Sequence, residues 1–215
     1  GYLVANVVLN ALILHVPFLI TLVAGDLLAG EATAGTYRML LTRPVSRTQV
    51  ITAKFLAGTI YTNFLIFWLA FVSLGISVMI FGTGELIVIR DNITIFAKDD
   101  IFWRFMLAYG YAALAMTVVS SLAFLLSSLV ENAIGPIVAT MAIIIVFLIL
   151  SNINLEFFRF VKPYLFTSYL QKWRLFFSDP LDFDALWQAI GVLAAHIAVF
   201  FGLTLFLFKR KDIQS

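Results

Sequence analysis

The chain has 215 residues, of which 62% are hydrophobic and 12% charged, with a net charge of +2 and no cysteine. Soluble domains carry about 45–50% apolar and about 25% charged residues, so a single water-soluble core cannot hide this much apolar surface. The small net charge gives no basis for nucleic-acid binding, and the lack of cysteine excludes disulfides, thiolate metal sites and cysteine nucleophiles.

The bilayer is therefore the expected solvent for most of the chain. Within lipid every backbone amide needs an internal partner, which restricts the spans to helices or a closed barrel. The apolar runs are continuous rather than alternating, and that selects helices. A crossing takes roughly 20 apolar residues. Five runs qualify, and the fold class is an all-α polytopic membrane protein, read as one domain over 1–215.

The first run, Tyr2–Ala24, is interrupted mildly by Asn6, Asn10, His15 and Pro17. It is long enough to span and has no basic leader, so it does not read as a cleavable signal. A polar island follows at 25–54, from Gly25 to Lys54. The second run, Val50–Phe81, exceeds one span and is expected to tilt or break near Gly58 or Gly75. The connection 82–100 is mixed and carries Glu85, Arg90, Asp91, Lys98, Asp99 and Asp100. The third run is Ile101–Leu129. After the turn signal Glu131-Asn132-Ala133-Ile134-Gly135-Pro136 comes the fourth, Ile134–Leu150. The connection 151–185 is rich in aromatic and basic residues. Its Phe166, Tyr169, Leu170, Trp173, Phe176 and Phe177 recur at helical spacing, with Lys172 and Arg174 on the other face. That pattern predicts an amphipathic helix lying at the membrane surface, an aromatic interface anchor. The fifth run, Leu186–Phe208, ends at Lys209-Arg210-Lys211.

Five spans place the island and the C-terminal basic cluster on one side. Arg38, Arg43, Arg47, Lys54, Lys209, Arg210 and Lys211 lie there, against Arg90, Lys98, Arg104, Arg159, Lys162, Lys172 and Arg174 opposite. The distribution of positive charge is balanced in number. The clustering at Lys209–Lys211 favours a cytoplasmic island.

Within the island Glu31 and Arg38 are seven residues apart, which puts them on one face of a continuous helix. Leu28, Ala32 and Met39 make a neighbouring apolar stripe. The residue before a proline is driven out of the α region, so Arg43-Pro44 is expected to end this helix. Ser46 is then the N-cap of a helix that carries Arg47 and Lys54 into the next span.

This ordered series resembles the cytoplasmic coupling region of permease subunits of type-two ABC exporters. In that family an acidic residue precedes a Gly-Thr pair, a Leu-Leu pair, Arg-Pro, Ser-Arg and a Lys. Here these are Glu31, Gly35-Thr36, Leu40-Leu41, Arg43-Pro44, Ser46-Arg47 and Lys54, and the ending Phe208–Ile213 is also similar. The resemblance implies six spans, of which this chain supplies five, with a first span expected before Gly1. It implies an inner (plasma) membrane location with the coupling region and C-terminus cytoplasmic. It also implies two copies of a cytoplasmic ATPase subunit, which bind ATP and Mg, and a second permease copy or sister permease. This chain itself would bind no cofactor and no metal. The docking residues it implies are Leu28, Glu31, Gly35, Thr36, Arg38, Met39, Leu40, Arg43, Pro44 and Arg47. Glu31 and Arg38 would supply orienting charges, and Leu28, Met39 and Leu40 the apolar anchors.

No metalloprotease, nucleophile-elbow or phosphate-loop motif is present, so no catalytic residue is assigned. No Asp, Glu, Lys or Arg is expected deep in a span, which argues against ion- or proton-coupled carriage. His15 and His196 are expected to bond neighbouring helices. Asn63, Thr59 and Thr62 suit interhelical hydrogen bonds or a path lining. Gly191, Ala195, Ala198 and Gly202, like Ala108, Ala112 and Ala115, predict close helix packing. Two rival readings stand beside the exporter: a non-transporting scaffold that anchors a cytoplasmic partner, and a channel or secondary carrier, which would need a polar lining.

Overall fold

The computed structural model describes residues 1–36, 46–89, 93–153, 156 and 160–210, without the side chains of residues 13 and 14. Helix α1 runs over Tyr2–Thr33, and α2 over Arg47–Ala70. A π-helical stretch, Phe71–Ile76, leads into the short α3, Ser77–Phe81. A hairpin pairs β1, Leu86–Ile89, with β2, Ile93–Phe96, antiparallel with Leu86 opposite Phe96. Helices α4, Lys98–Leu129, α5, Ile134–Asn152, and α6, Phe183–Arg210, complete the fold.

Five described segments are long and apolar enough to cross a membrane: His15–Thr33, Arg47–Phe81, Lys98–Leu129, Ile134–Asn152 and Phe183–Arg210. The protein is an all-α polytopic membrane protein with one small hairpin. The second crossing does change character around Gly75, through the π-helical stretch, whereas Gly58 stays inside regular helix. A Cβ on Gly58 would meet Leu27 Cδ1 at 3.0 Å and Ser120 Oγ at 3.4 Å. Its glycine therefore serves close contact with α1 and α4.

Helix α4 is the central pillar. In its most apolar stretch 78% is buried inside the protein, against 11% for α6. Helices α1, α2, α5 and α6 all pack on it. Its small residues Ala108, Ala112 and Ala115 are buried, as close packing requires. The matching stripe on α6 is not used this way. Gly191, Ala195, Ala198 and Gly202 are all exposed, and a Cβ on Gly191 or Gly202 would meet no atom within 4 Å.

The connection 151–185 departs from the expected amphipathic surface helix. Among its described residues it folds as short 3-10 turns at Lys162–Tyr164, Phe166–Ser168 and Lys172–Phe177. Its aromatics point into the protein: Phe166, Trp173 and Phe177 are among the largest fully buried side chains. These buried rings make the segment a cap on one end of the bundle, while Phe160 and Tyr164 stay exposed. Phe105 packs edge-on to Phe177 with centroids 4.8 Å apart, and Tyr111 donates to the Tyr169 carbonyl at 2.7 Å. Arg104 pins the cap. It bonds Asp100 Oδ2 at 2.8 Å, donates to the carbonyls of Phe176 and Ser178, and lies over the Phe96 ring of the hairpin. Although it belongs to a crossing helix, its charge is paired near the helix end.

His15 bonds the Ala11 carbonyl of its own helix. His196 contacts the Val192 carbonyl of α6 and the Tyr164 carbonyl of the cap. Neither meets a carboxylate among the described residues, and no metal-binding cluster occurs among them.

Candidate functional site

The polar island begins inside α1. The helix does not stop at Ala24 but continues through Gly25, Asp26 and Glu31 to Thr33. It then closes by a Schellman arrangement. The N–H of Gly35 donates to the Ala32 carbonyl and that of Thr36 to the Glu31 carbonyl, each at 3.1 Å, with Gly35 at φ +67°. A left-handed residue after the last turn satisfies otherwise orphaned carbonyls and strongly favours glycine. The Gly35-Thr36 pair thus has a local physical cause: Gly35 permits the turn, and Thr36 supplies the second N–H.

Glu31 faces the next helix. Its Oε1 lies 2.6 Å from Lys54 Nζ, and the same ammonium donates to the Leu27 carbonyl at 2.7 Å. The Thr36 hydroxyl is within 3.4 Å of Glu31 Oε2. Both side chains are partly buried, at 25% exposure for Glu31 and 17% for Lys54. Helix α1 ends at Thr33, with Glu31 in its last turn; the expected face shared with Arg38 falls outside the described residues. Arg38, Met39, Leu40, Arg43 and Pro44 lie outside the described residues.

Leu28 is wholly buried, packed in a cluster with Ile51, Phe124 and Phe208. It joins α1, α2, α4 and α6, and this corrects its expected role as an anchor for an outside partner. On the far side of the island, Ser46 caps α2 as expected. Its hydroxyl accepts from the Gln49 N–H at 3.2 Å, and the Gln49 side chain accepts from the Ser46 N–H at 2.9 Å. This reciprocal capping box fixes where α2 starts, with Arg47 half-buried at its first position.

A third element holds the island, and the sequence reading passed over it. Ser127, near the end of α4, inserts its hydroxyl beside α1. It accepts from the N–H groups of Leu28 and Ala29 and donates to the Gly25 carbonyl. Thr33 adds a bond to the Glu131 carbonyl in the α4–α5 turn at 2.7 Å. Gly25 permits the close approach of α5, since a Cβ there would sit 3.1 Å from Ile137 Cγ1. The available signal was the Ser127-Ser128 pair, polar residues in the last turn of an otherwise apolar run.

Two fixed ends therefore flank residues 37–45 in the sequence. One is the closed C-terminus of α1, bolted to α4 and α5; the other is the capped N-terminus of α2. The Glu31–Lys54 bridge ties the two together.

A separate apolar groove of about 640 Å³ opens between α2, the π-helical stretch and α4, lined by Phe67, Phe71, Leu74, Phe102, Met106 and Tyr109 among others. Asn63 is at its edge and donates to the Thr59 carbonyl and, at 3.4 Å, to Thr117 of α4. Thr62 is buried and bonded to the Gly58 carbonyl. Asn63 thus bonds within α2 and to α4 and Thr62 within α2, whereas the Thr59 hydroxyl is buried without a hydrogen-bond partner among the described residues.

Comparison with known proteins gives two findings. A family profile described as "ABC-2 family transporter protein" matches residues 5–213. The chain is similar to "Uncharacterized protein YhcI" of Bacillus subtilis (strain 168), at 24% identity over 205 residues, covering 90% of this chain and 63% of that relative. The chain thus spans just under two thirds of the length of the curated relative it matches.

Proposed function

The chain belongs to the ABC-2 family of transporter proteins as a multi-pass permease, and from that premise we propose that it couples ATP hydrolysis by a separate ATPase subunit to export of a substrate. In this reading residues 25–54 are cytoplasmic and receive the ATPase. Two ATPases close around ATP and Mg, and two permease copies, identical or sister, respond. The chain carries no nucleotide motif of its own, so hydrolysis belongs to the partner.

The supporting observation is the mounting of segment 37–45. A loop that transmits force must be stiff at both ends, since slack would absorb the displacement. One end here is a Schellman-closed helix held by Ser127 and Thr33, and the other a capping box. The Glu31–Lys54 bridge ties α1 to α2. Arg38, Met39, Leu40 and Arg43 lie between those mounts in sequence, and we assign them the contact with the ATPase. Glu31 acts by holding the mount, not by touching the partner. Gly35 and Thr36 close it, and Arg47 starts the receiving helix.

Reconstitution tests this. The permease, purified together with a candidate ABC ATPase subunit and placed in liposomes, is expected to move cargo only with ATP. Transport that persists without nucleotide supports a channel or secondary carrier instead. Retention of the partner without any transport supports a scaffold.

A further inference from the structure

At the end of the bundle opposite the island, a polar pocket of about 390 Å³ lies between the C-terminus of α5, the 3-10 cap and the first turns of α6. Lys162, Lys172, Asn152, Gln171, Gln188 and Ser168 are among the residues lining it, and no Asp or Glu does among the described residues. The hydroxyls are already committed: Ser151 bonds Thr167 at 2.8 Å, and Ser168 donates to the Lys162 carbonyl at 2.9 Å. The Asn152 amide donates to the Leu148 carbonyl at 2.7 Å. The side chains of Lys172, Gln171 and Gln188 have no hydrogen-bond partner among the described residues. Asp182, close in sequence, is engaged in accepting from the N–H of Ala185 at 3.0 Å. The pocket is thus a preformed wall with spare donors and the Lys172 ammonium, suited to an anion that accepts several hydrogen bonds.

Its level in the membrane narrows the class. Tyr164, Phe183 and Trp187 are all more than 60% exposed and flank the pocket in sequence, Trp187 next to Gln188 and Tyr164 two residues from Lys162. Exposed aromatic rings of this kind sit at the headgroup level of a bilayer. The exposed Ile145 and Ile149 continue from there down the apolar surface of α5, where acyl chains belong. A basic, donor-rich pocket beside an apolar helix face suits a molecule with a charged head and hydrocarbon tails.

We propose that this pocket binds the phosphate of an anionic phospholipid in the leaflet facing away from the island. Lys172 supplies the charge, and Gln171 and Gln188 supply neutral donors. A zwitterionic choline lipid is disfavoured because its ammonium would face Lys172. Free phosphate offers the same oxygens without the tails, and the test separates the two.

The probes are dioctanoyl phosphatidylglycerol, dioctanoyl phosphatidylcholine and inorganic phosphate, added to the detergent-solubilised protein and followed by native mass spectrometry. The expected result is at least tenfold tighter binding of the glycerol lipid than of the choline lipid. Lys172→Gln should weaken the glycerol lipid about tenfold, equivalent to about 1.4 kcal/mol, with Lys172→Arg staying within about threefold. The lipid-free melting temperature of Lys172→Gln should match that of the parent, which separates lost binding from lost folding. Equal affinity for the two lipids overturns the proposal, as does unchanged binding in Lys172→Gln. Displacement of the lipid by equimolar inorganic phosphate also overturns it, because the tails would then contribute nothing. None of these readouts depends on an ATPase, so failure here leaves the exporter reading untouched.

Discussion

Replacing Lys54 with Met removes one ammonium from two acceptors, Glu31 Oε1 at 2.6 Å and the Leu27 carbonyl at 2.7 Å. Two unit charges about 3 Å apart attract by about 5 kcal/mol at an effective dielectric constant of about 20. Desolvation and the ordering of a long side chain oppose most of that. Exposed pairs are worth about 0.2–1 kcal/mol, and hydrogen bonds to charged groups about 1.5–3 kcal/mol. With 17% and 25% of the two side chains exposed, the pair falls between those ranges, at about 1–2 kcal/mol of coupling. Lys54→Met should cost about 2–3 kcal/mol, because both the carboxylate and the Leu27 carbonyl lose a donor. Glu31→Gln should cost about 1 kcal/mol, because a neutral acceptor remains. The double variant should then be little worse than Lys54→Met alone. Equilibrium unfolding of the four proteins in mixed micelles gives the cycle. Additivity within about 0.3 kcal/mol would show that the two side chains do not act together, and the account of the mount would fail.

Ser127→Ala leaves the Leu28 and Ala29 N–H groups and the Gly25 carbonyl short of a partner, and should destabilise by about 2–3 kcal/mol in the same unfolding measurement. Gly35→Ala meets no atom within 4 Å, so only backbone strain opposes it; about 1 kcal/mol is expected, and an unchanged midpoint would count against the closed turn. Arg104→Ala strips the cap of its bonds to Phe176, Ser178 and Asp100 and should cost about 3 kcal/mol or more. Arg104→Lys should recover only part of that, since one ammonium cannot reproduce the planar fork. Arg38→Ala should leave the unfolding midpoint in place and lower the transport obtained per ATP hydrolysed, whereas Glu31→Ala should lower both.

The membrane-crossing runs were legible because a span is a property of composition: some 20 residues without charge admit few other readings. Ser46 was legible because an N-cap is a local hydrogen bond with a narrow choice of residues. The end of α1 was not. A separate island helix was expected after Ala24, but α1 runs on without a break to Thr33, and Gly35, at positive φ, closes it. The Glu31–Lys54 pair was not legible either, because it depends on how two helices approach.

The aromatic cap misled in another way. Leu170, Trp173 and Phe176 recur every three residues, a spacing that fits 3-10 turns as well as an α-helix. Spacing does not say whether rings face lipid or protein; only the packing of Phe177 on Phe105 and Trp173 settles that. Likewise the small residues of α4 and α6 read alike in sequence. They differ because α4 is surrounded, while α6 presents its stripe outward.

The protein contains no cysteine, so a single introduced thiol reports without background. Arg38→Cys, in cells holding the permease and a candidate ABC ATPase subunit, should be shielded from a membrane-impermeant maleimide added outside intact cells. With a short bifunctional reagent in inverted vesicles, it should cross-link to the ATPase with a yield that changes when ATP is added. Labelling from outside intact cells, or no cross-link to any ATPase, would contradict the claim that a nucleotide-driven partner grips this segment.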